Sequence, residues 1–335
     1  MSSKSFWSVL APHINGFIDL KRSLGFQYKE EERILYTFDR FLLDQDYTTP
    51  WLSKEISDKW SERHPNEAEL TCYGKVKLVR QLAVYLSDMG IKTYIPKLPQ
   101  YPGCNFIPYI YSPEEIKAIF HACDSLRMRN RNVYSCLLIM PCLLRLLFGT
   151  GIRIGEALSL KNKDVDITDG CLTLRNTKNG KDRLLPISAS LTAVCKDYME
   201  HRIKLPVAGI EDKNQPFFVS LNGGVCAHGA VYNWFRKVLF LAEIPFNGNR
   251  KGPRLHDARH CFSSNSFLKL SDEGMDLYCS WPYLSAYLGH QSLEATEKYI
   301  RLTAQMHPEL LKDAYGVSVD VLPDLDIPIK TTGKP

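Results

Sequence analysis

One proline-dense stretch does most to limit how this chain can fold. Residues 96–110, PKLPQYPGCNFIPYI, hold four prolines and a glycine. Proline removes an amide donor and disfavours helix in the residue before it. The stretch therefore reads as an extended linker between residues 1–95 and 111–316, with a proline- and aspartate-bearing tail at 317–335. A chain of 335 residues is long enough for two such domains.

The first part reads as helical throughout. Leu10, Ile14, Phe17, Ile18 and Leu24 recur at helical spacing, and Gly25 is placed as a stop. A second helix is predicted from Lys29 to Leu43, with Ile34, Leu35, Phe38, Phe41 and Leu42 on its apolar face and a break at Thr48-Thr49-Pro50. Ser53–Arg63 and Glu67–Met89 complete a four-helix bundle, the last helix ending at Gly90.

After the linker, Ser112-Pro113-Glu114-Glu115 carries a helix-start signal, with Ser at N-cap, Pro at N1 and Glu at N3. The apolar run Val133–Phe148 is too short for a bilayer and is interrupted by Pro141 and Arg145, so it reads as a core helix. Between Asp164 and Ile187, apolar and polar residues alternate around Asp169-Gly170 and Asn179-Gly180, two turn signals separating three short strands. A helix is expected from His228 to Ala242, with Trp234 and Phe235 facing the core. The expected class is mainly α with a small antiparallel β-sheet.

Charge permits an anionic partner without demanding one. The net charge is +5, and the first hundred residues hold 14 Lys and Arg against 13 Asp and Glu, so most of the excess lies in the second part. The ten cysteines are scattered with no CxxC pair, and the N-terminus lacks a cleavable apolar region. Free thiols, a reducing compartment and a cytoplasmic, non-membrane protein are expected.

Four separated segments hold side chains suited to phosphate binding or proton transfer. TGIRIGEALSL, Thr150–Leu160, sets Arg153 three residues before Glu156. An arginine near a helix start can grip a phosphate with its fork, although the pair alone would also serve as a salt bridge. TKNGKDRLLPI, Thr177–Ile187, puts Lys178, Lys181 and Arg183 around a hairpin turn, where cations are usually only solvated. RLHDARH, Arg254–His260, spaces His256 and Arg259 for one helix face, with His260 following. YLGHQSLEATEKYI, Tyr287–Ile300, has His290 after a glycine and Tyr299 nine positions on. His256 and His260 also have the i,i+4 spacing of a zinc motif. However, Asp257 stands where that motif needs glutamate and Arg259 would sit beside the cation, so no metal is expected.

The order of these segments resembles the tyrosine recombinase (phage integrase) family, from Thr150 to Tyr299, and the helical first part is similar to that family's core-binding domain. The resemblance implies a two-domain clamp: 1–95 core-binding, 96–110 linker, 111–316 catalytic and 317–335 tail. It implies that Arg153 and Arg259 grip the scissile phosphate, and that Lys178 protonates the leaving 5′ oxygen. His256 and His290 would hydrogen-bond the phosphate or move protons, Glu156 would orient Arg153, and Tyr299 would be the nucleophile. Tyr283 and Tyr287 precede His290 and read as packing residues.

The chemistry needs no cofactor. Preorganised cations relieve charge on the phosphate in the transition state, and a phenol of pKa about 10 becomes a nucleophile once its proton is drawn off. The resemblance further implies a substrate of double-stranded DNA bearing specific sites, a homotetramer, and accessory DNA-bending or partner recombinase proteins. Its role would be integration, excision or transposition. Lys75, Lys77 and Arg80 on the fourth helix, and Arg250, Lys251 and Arg254 before the third segment, are candidate DNA-backbone contacts.

Two features depart from the family pattern. Ala258 stands where leucine is usual, and Arg259 and His290 are 31 positions apart, which reads as a partner-contacting loop near Lys269–Pro282. Alternative readings are a type IB topoisomerase or telomere resolvase, and an inactive DNA-binding relative.

Overall fold

The computed structural model describes residues 5–103, 108–128, 131–175, 177, 180, 182–246, 248, 252–275 and 277–289. The chain divides into two compact units, Met1–Phe106 and Ile107–Pro335.

The first unit packs helices α1 (Ala11–Ser23), α2 (Lys29–Asp44), α3 (Lys54–Ser61) and α4 (Glu69–Asp88). Gly25, at φ +88°, follows the end of α1 in the left-handed region. Ser53 caps α3 by accepting from the Ile56 amide at 3.2 Å. Ile14, Phe17, Leu35, Phe38, Leu42, Leu52, Leu82 and Leu86 form the buried centre. Asp39 is buried in α2 and accepts the amides of Trp7 and Ser8, each at 2.9 Å, which ties the entering chain to the bundle.

The second unit is built around α6 (Met140–Thr150), whose Cys142, Leu143, Leu144, Leu146, Leu147 and Phe148 are all buried. A helix apolar over most of its surface must be largely enclosed. Here α5 (Pro113–Asp124), α7 (Ile154–Ser159), α8 (Ala189–Arg202), α9 (His228–Leu241) and α10 (Asp257–Asp272) surround it. The Ser112 capping box forms as expected, with Ser112 Oγ accepting from the Glu115 amide and Glu115 accepting from the Ser112 amide. The predicted helix over Val133–Phe148 is shorter than expected. Pro141 stands in the first turn of α6, where its missing donor costs nothing, so the helix begins at Met140 after a single 3-10 turn. Val133 and Tyr134 lie outside it and are exposed.

Strands β1 (Val165–Asp166), β2 (Cys171–Leu174) and β3 (Arg183–Pro186) form an antiparallel sheet in the order β1-β2-β3. Leu172 pairs with Leu185, and Leu174 with Arg183. Leu172, Leu174 and Leu185 are buried while Leu184 is exposed, so the inner face carries Leu185 and, two residues earlier on the same face, Arg183.

The expected loop near Lys269–Pro282 is instead mostly helical. Helix α10 continues to Asp272, a turn with Gly274 at φ +83° follows, and α11 (Leu277–Leu288) carries Pro282 inside it. Phe267, Leu284 and Leu288 pack α11 onto α10. Of the segment's own residues, Trp281 packs against that contact. No helix among the described residues is long and apolar enough to cross a membrane.

Candidate phosphate-binding active site

Helix α6 stops at Gly151, which takes φ +62° at the C-cap. A Cβ there would stand 2.5 Å from Phe262 Cδ1 and 3.1 Å from Leu288 Cδ2, so the turn requires glycine. Two residues on, Arg153 is the N-cap of α7, and Glu156 in the first turn accepts the Arg153 amide at 3.0 Å. The same carboxylate holds the Arg153 side chain, Nη1 to Oε1 at 2.8 Å. The ordinary ion-pair reading of this segment therefore holds, but it is incomplete.

Arg183 completes it. From the inner face of β3 its Nη2 donates to Glu156 Oε2 at 2.9 Å and its Nη1 to Oε1 at 3.3 Å. Glu156 thus sits between two guanidinium groups, with its side chain 8% exposed. Burial pushes its pKa up, yet the hydrogen bonds from Arg183, with the Arg153 amide, the Arg183 charge and the Arg153 side-chain hydrogen bond, hold it below the usual carboxylate range. Arg183 was legible only as a turn cation. The stronger signal was alternation: in phase with Leu185, it had to face inward, and an inward charge needs a partner.

Arg259 is buried in α10 and donates from Nη1 to Gly151 O and from Nη2 to Leu288 O, each at 2.8 Å. One guanidinium therefore clasps the α6–α7 turn and the end of α11. Gly289 follows at φ +66°, and a Cβ on it would lie 2.7 Å from Arg183 Nη1. Glu156 thereby joins Arg153 to Arg183, Arg183 lies against Gly289, and Arg259 is anchored on the turn two residues before Arg153.

His256 and His260 lie one turn apart on α10, their rings 5.1 Å apart and near perpendicular. The pKa of His260 is pushed down to about 4 by burial, then by Arg254 and Arg259. His256 keeps an exposed face, but withdrawal from water on its other side, then His260, Arg259 and Arg254, lower its pKa to about 4 as well. Both rings are neutral near pH 7. Arg254 is fixed by Asp257, Nη2 to Oδ1 at 3.0 Å, and Asp257 also accepts the Arg254 amide at 2.8 Å. Tyr287 packs as expected, stacked on Phe262 with its hydroxyl donating to Pro186 O at 3.2 Å, but Tyr283 is 70% exposed.

Among the expected DNA contacts of the first unit, Lys75 is corrected. It is buried and its Nζ donates to Glu62 O at 2.9 Å and Glu67 Oε2 at 2.8 Å, so it is used within the bundle. Arg80 donates to Pro96 O at 2.6 Å, and Lys77 is exposed. Lys178, Arg250, Lys251, His290 and Tyr299 lie outside the described residues.

The family model described as "Phage integrase family" matches residues 110–306. The putative integrase/recombinase y4rB of Sinorhizobium fredii is 34% identical over 309 residues, spanning 90% of this chain and 94% of that protein. The chain belongs to the phage integrase family. The tyrosine recombinase XerA of Pyrococcus furiosus is 26% identical over 71% of this chain and 72% of its own length. In fold, the chain is similar to the Tn1549 transposon integrase solved with transposon right end DNA. That match has a TM-score of 0.62 and 16% identity, and it covers 90% of this chain and all of that one. The mainly helical integrase fold with its small sheet is thus shared.

Proposed function

We propose that this protein is a site-specific DNA recombinase that cuts and rejoins duplex DNA through a 3′-phosphotyrosyl bond at Tyr299. The observation that carries this reading is that Arg259, 108 positions further along the chain, anchors on Gly151 O, two residues before Arg153. Both are always protonated, so the site is permanently cationic. The Tyr299 oxygen attacks phosphorus, the bond from phosphorus to the 5′ oxygen breaks, and Lys178 protonates the leaving oxygen. The reverse attack by a 5′-hydroxyl reseals the strand without ATP.

Arg153 and Arg259 stabilise charge on the non-bridging oxygens, an effect worth roughly 3–4 kcal/mol for one well-placed donor. His256, with His290, hydrogen-bonds the phosphate or moves protons. An incoming anion offsets the Arg259 and Arg254 charges that add to burial in keeping His256 neutral, so proton uptake is coupled to substrate binding. Glu156 orients Arg153. Residues 1–95 serve as the core-binding domain, and the working assembly is a homotetramer on two sites, with accessory proteins where the DNA must be bent. The two units and the DNA-bound recombinases of the same fold support this assignment.

The test is to incubate the protein with nicked duplexes of random sequence and recover DNA that survives denaturation as a covalent adduct. Recovered sequences are expected to converge, and Tyr299→Phe is expected to abolish the adduct while leaving duplex binding. An adduct that persists in Tyr299→Phe overturns the nucleophile. No adduct at all leaves a DNA-binding relative, and relaxation of supercoiled DNA regardless of sequence indicates a topoisomerase.

A further inference from the structure

We infer that Arg183 is a positioning residue that preserves the positive charge of Arg153 by sharing Glu156 with it. This rests on the recombinase reading and adds to it a role for a residue to which the family resemblance assigned none.

The argument begins with charge. Glu156 fixes Arg153 through its amide and its Nη1. A buried carboxylate at 2.8 Å also cancels the charge that the arginine should present to a phosphate. Positioning and catalysis are then in conflict, because the tighter the hold, the more neutral the pair. Arg183 resolves the conflict. It takes Glu156 by both terminal nitrogens, at 2.9 and 3.3 Å, leaving two cations against one anion and a net positive cluster.

The placement is specific. Arg183 projects from the sheet face lined by Leu172, Leu174 and Leu185, with its side chain 13% exposed, so it cannot serve as a solvated turn cation. Its Nε finds no hydrogen-bond acceptor among the described residues. Its far side lies against Gly289, where a Cβ would come within 2.7 to 3.2 Å of Nη1, Cζ and Nε. One guanidinium thus joins the hairpin that carries Lys178, the helix start that carries Arg153, and the residue before His290. Replacement by a neutral side chain leaves Glu156 buried with Arg153 as its cation, and the carboxylate draws that arginine's charge away from the phosphate.

The experiment uses the full chain and the nicked duplex recovered in the adduct capture, comparing wild type, Arg183→Gln, Arg183→Lys, Arg153→Ala and two double variants. Melting temperature, duplex affinity and the first-order rate of adduct formation are measured for each. Arg183→Gln is expected to slow adduct formation on the order of a hundredfold, with duplex affinity nearly unchanged. Adding Glu156→Gln removes the charge that needed offsetting and is expected to recover about tenfold of that rate. In the Arg153→Ala background, Arg183→Gln is expected to add little further loss.

Arg183→Lys keeps the charge without the fork and should fall between wild type and Arg183→Gln. It carries the comparison if Arg183→Gln melts below the assay temperature. Equal losses in both Arg153 backgrounds, or no recovery on adding Glu156→Gln, overturn the inference and leave the recombinase reading standing. Absence of an adduct from wild type overturns the recombinase reading instead.

Discussion

Replacing Gly151 by alanine is expected to damage both the fold and the site, and the structure sets the size of the effect. The residue sits at φ +62°, where a side chain costs roughly 1–2 kcal/mol. Its Cβ would also lie 2.5 Å from Phe262 Cδ1 and 3.1 Å from Leu288 Cδ2, and overpacking of that kind costs roughly 1–3 kcal/mol. Together the loss is roughly 2–5 kcal/mol, or a fall of roughly 5–15 °C in the melting of the second unit. Gly149, two residues earlier and inside α6, provides the contrast. A Cβ there meets only Leu191 Cδ2 at 3.4 Å and the backbone is helical, so Gly149→Ala should gain about 0.5–1 kcal/mol. Thermal and urea unfolding of the two variants measure this. A Gly151→Ala variant within about 1 kcal/mol of wild type refutes the reasoning, as does a Gly149→Ala variant equally unstable. Because Gly151 O anchors Arg259, adduct formation by Gly151→Ala should also fall below wild type at temperatures where the variant remains folded.

The other predictions concern ionisable groups. Lys75→Met leaves Glu67 without its buried cation and should cost the first unit roughly 1–3 kcal/mol, with duplex affinity unchanged while the unit is folded. Unaltered stability with weakened DNA binding would restore the phosphate-contact role for Lys75. Glu156, lowered in the folded protein, contributes stability above its unfolded pKa that is lost as pH falls through the lower folded value. The difference in unfolding free energy between wild type and Glu156→Gln should therefore be constant at neutral pH and shrink under acid conditions. A gap that widens on acidification contradicts the assignment.

Much of the fold was legible because local chemistry and global packing agree. Ser112 caps where its spacing said it would, and Asp169-Gly170 turns between strands. The failures came where a residue's role depends on the far side of its element. Lys75 and Lys77 are two apart, so on a helix they face different ways. Lys75 shares the stripe of Cys72, Val76 and Val79 and is drawn inside, whereas Lys77 remains exposed. The α6 boundary was misplaced because hydrophobicity alone does not register that Pro141 belongs in a first turn. The segment Lys269–Pro282 looked like a loop because sequence spacing does not distinguish a loop from a second helix packed through Phe267 and Leu284. Arg183 was hidden for a related reason. Its partner Glu156 is 27 positions away, and alternation with Leu185 shows that it faces inward but not which carboxylate it meets.

The histidines and arginines of the site have complementary behaviour. Arg153 and Arg259 hold permanent charge, but differently: Arg153 is a quarter exposed and held from one side, while Arg259 is buried and clasped by two carbonyls. Burial, reinforced by the arginines around α10, keeps His256 and His260 neutral, with folded pKa values near 4 against an ordinary value of 6.5. Each therefore favours folding above pH 6.5, and that contribution is lost as pH falls from about 6.5 towards 4. Ring-carbon NMR of the free protein should show both histidines neutral down to about pH 5. A titration of either near 6.5 would mean that neither burial nor the neighbouring cations act on it. A bound phosphate offsets the same cations and should raise both values. Proton affinity then becomes available at the site when the substrate arrives, which is when a proton must be moved from a phenol.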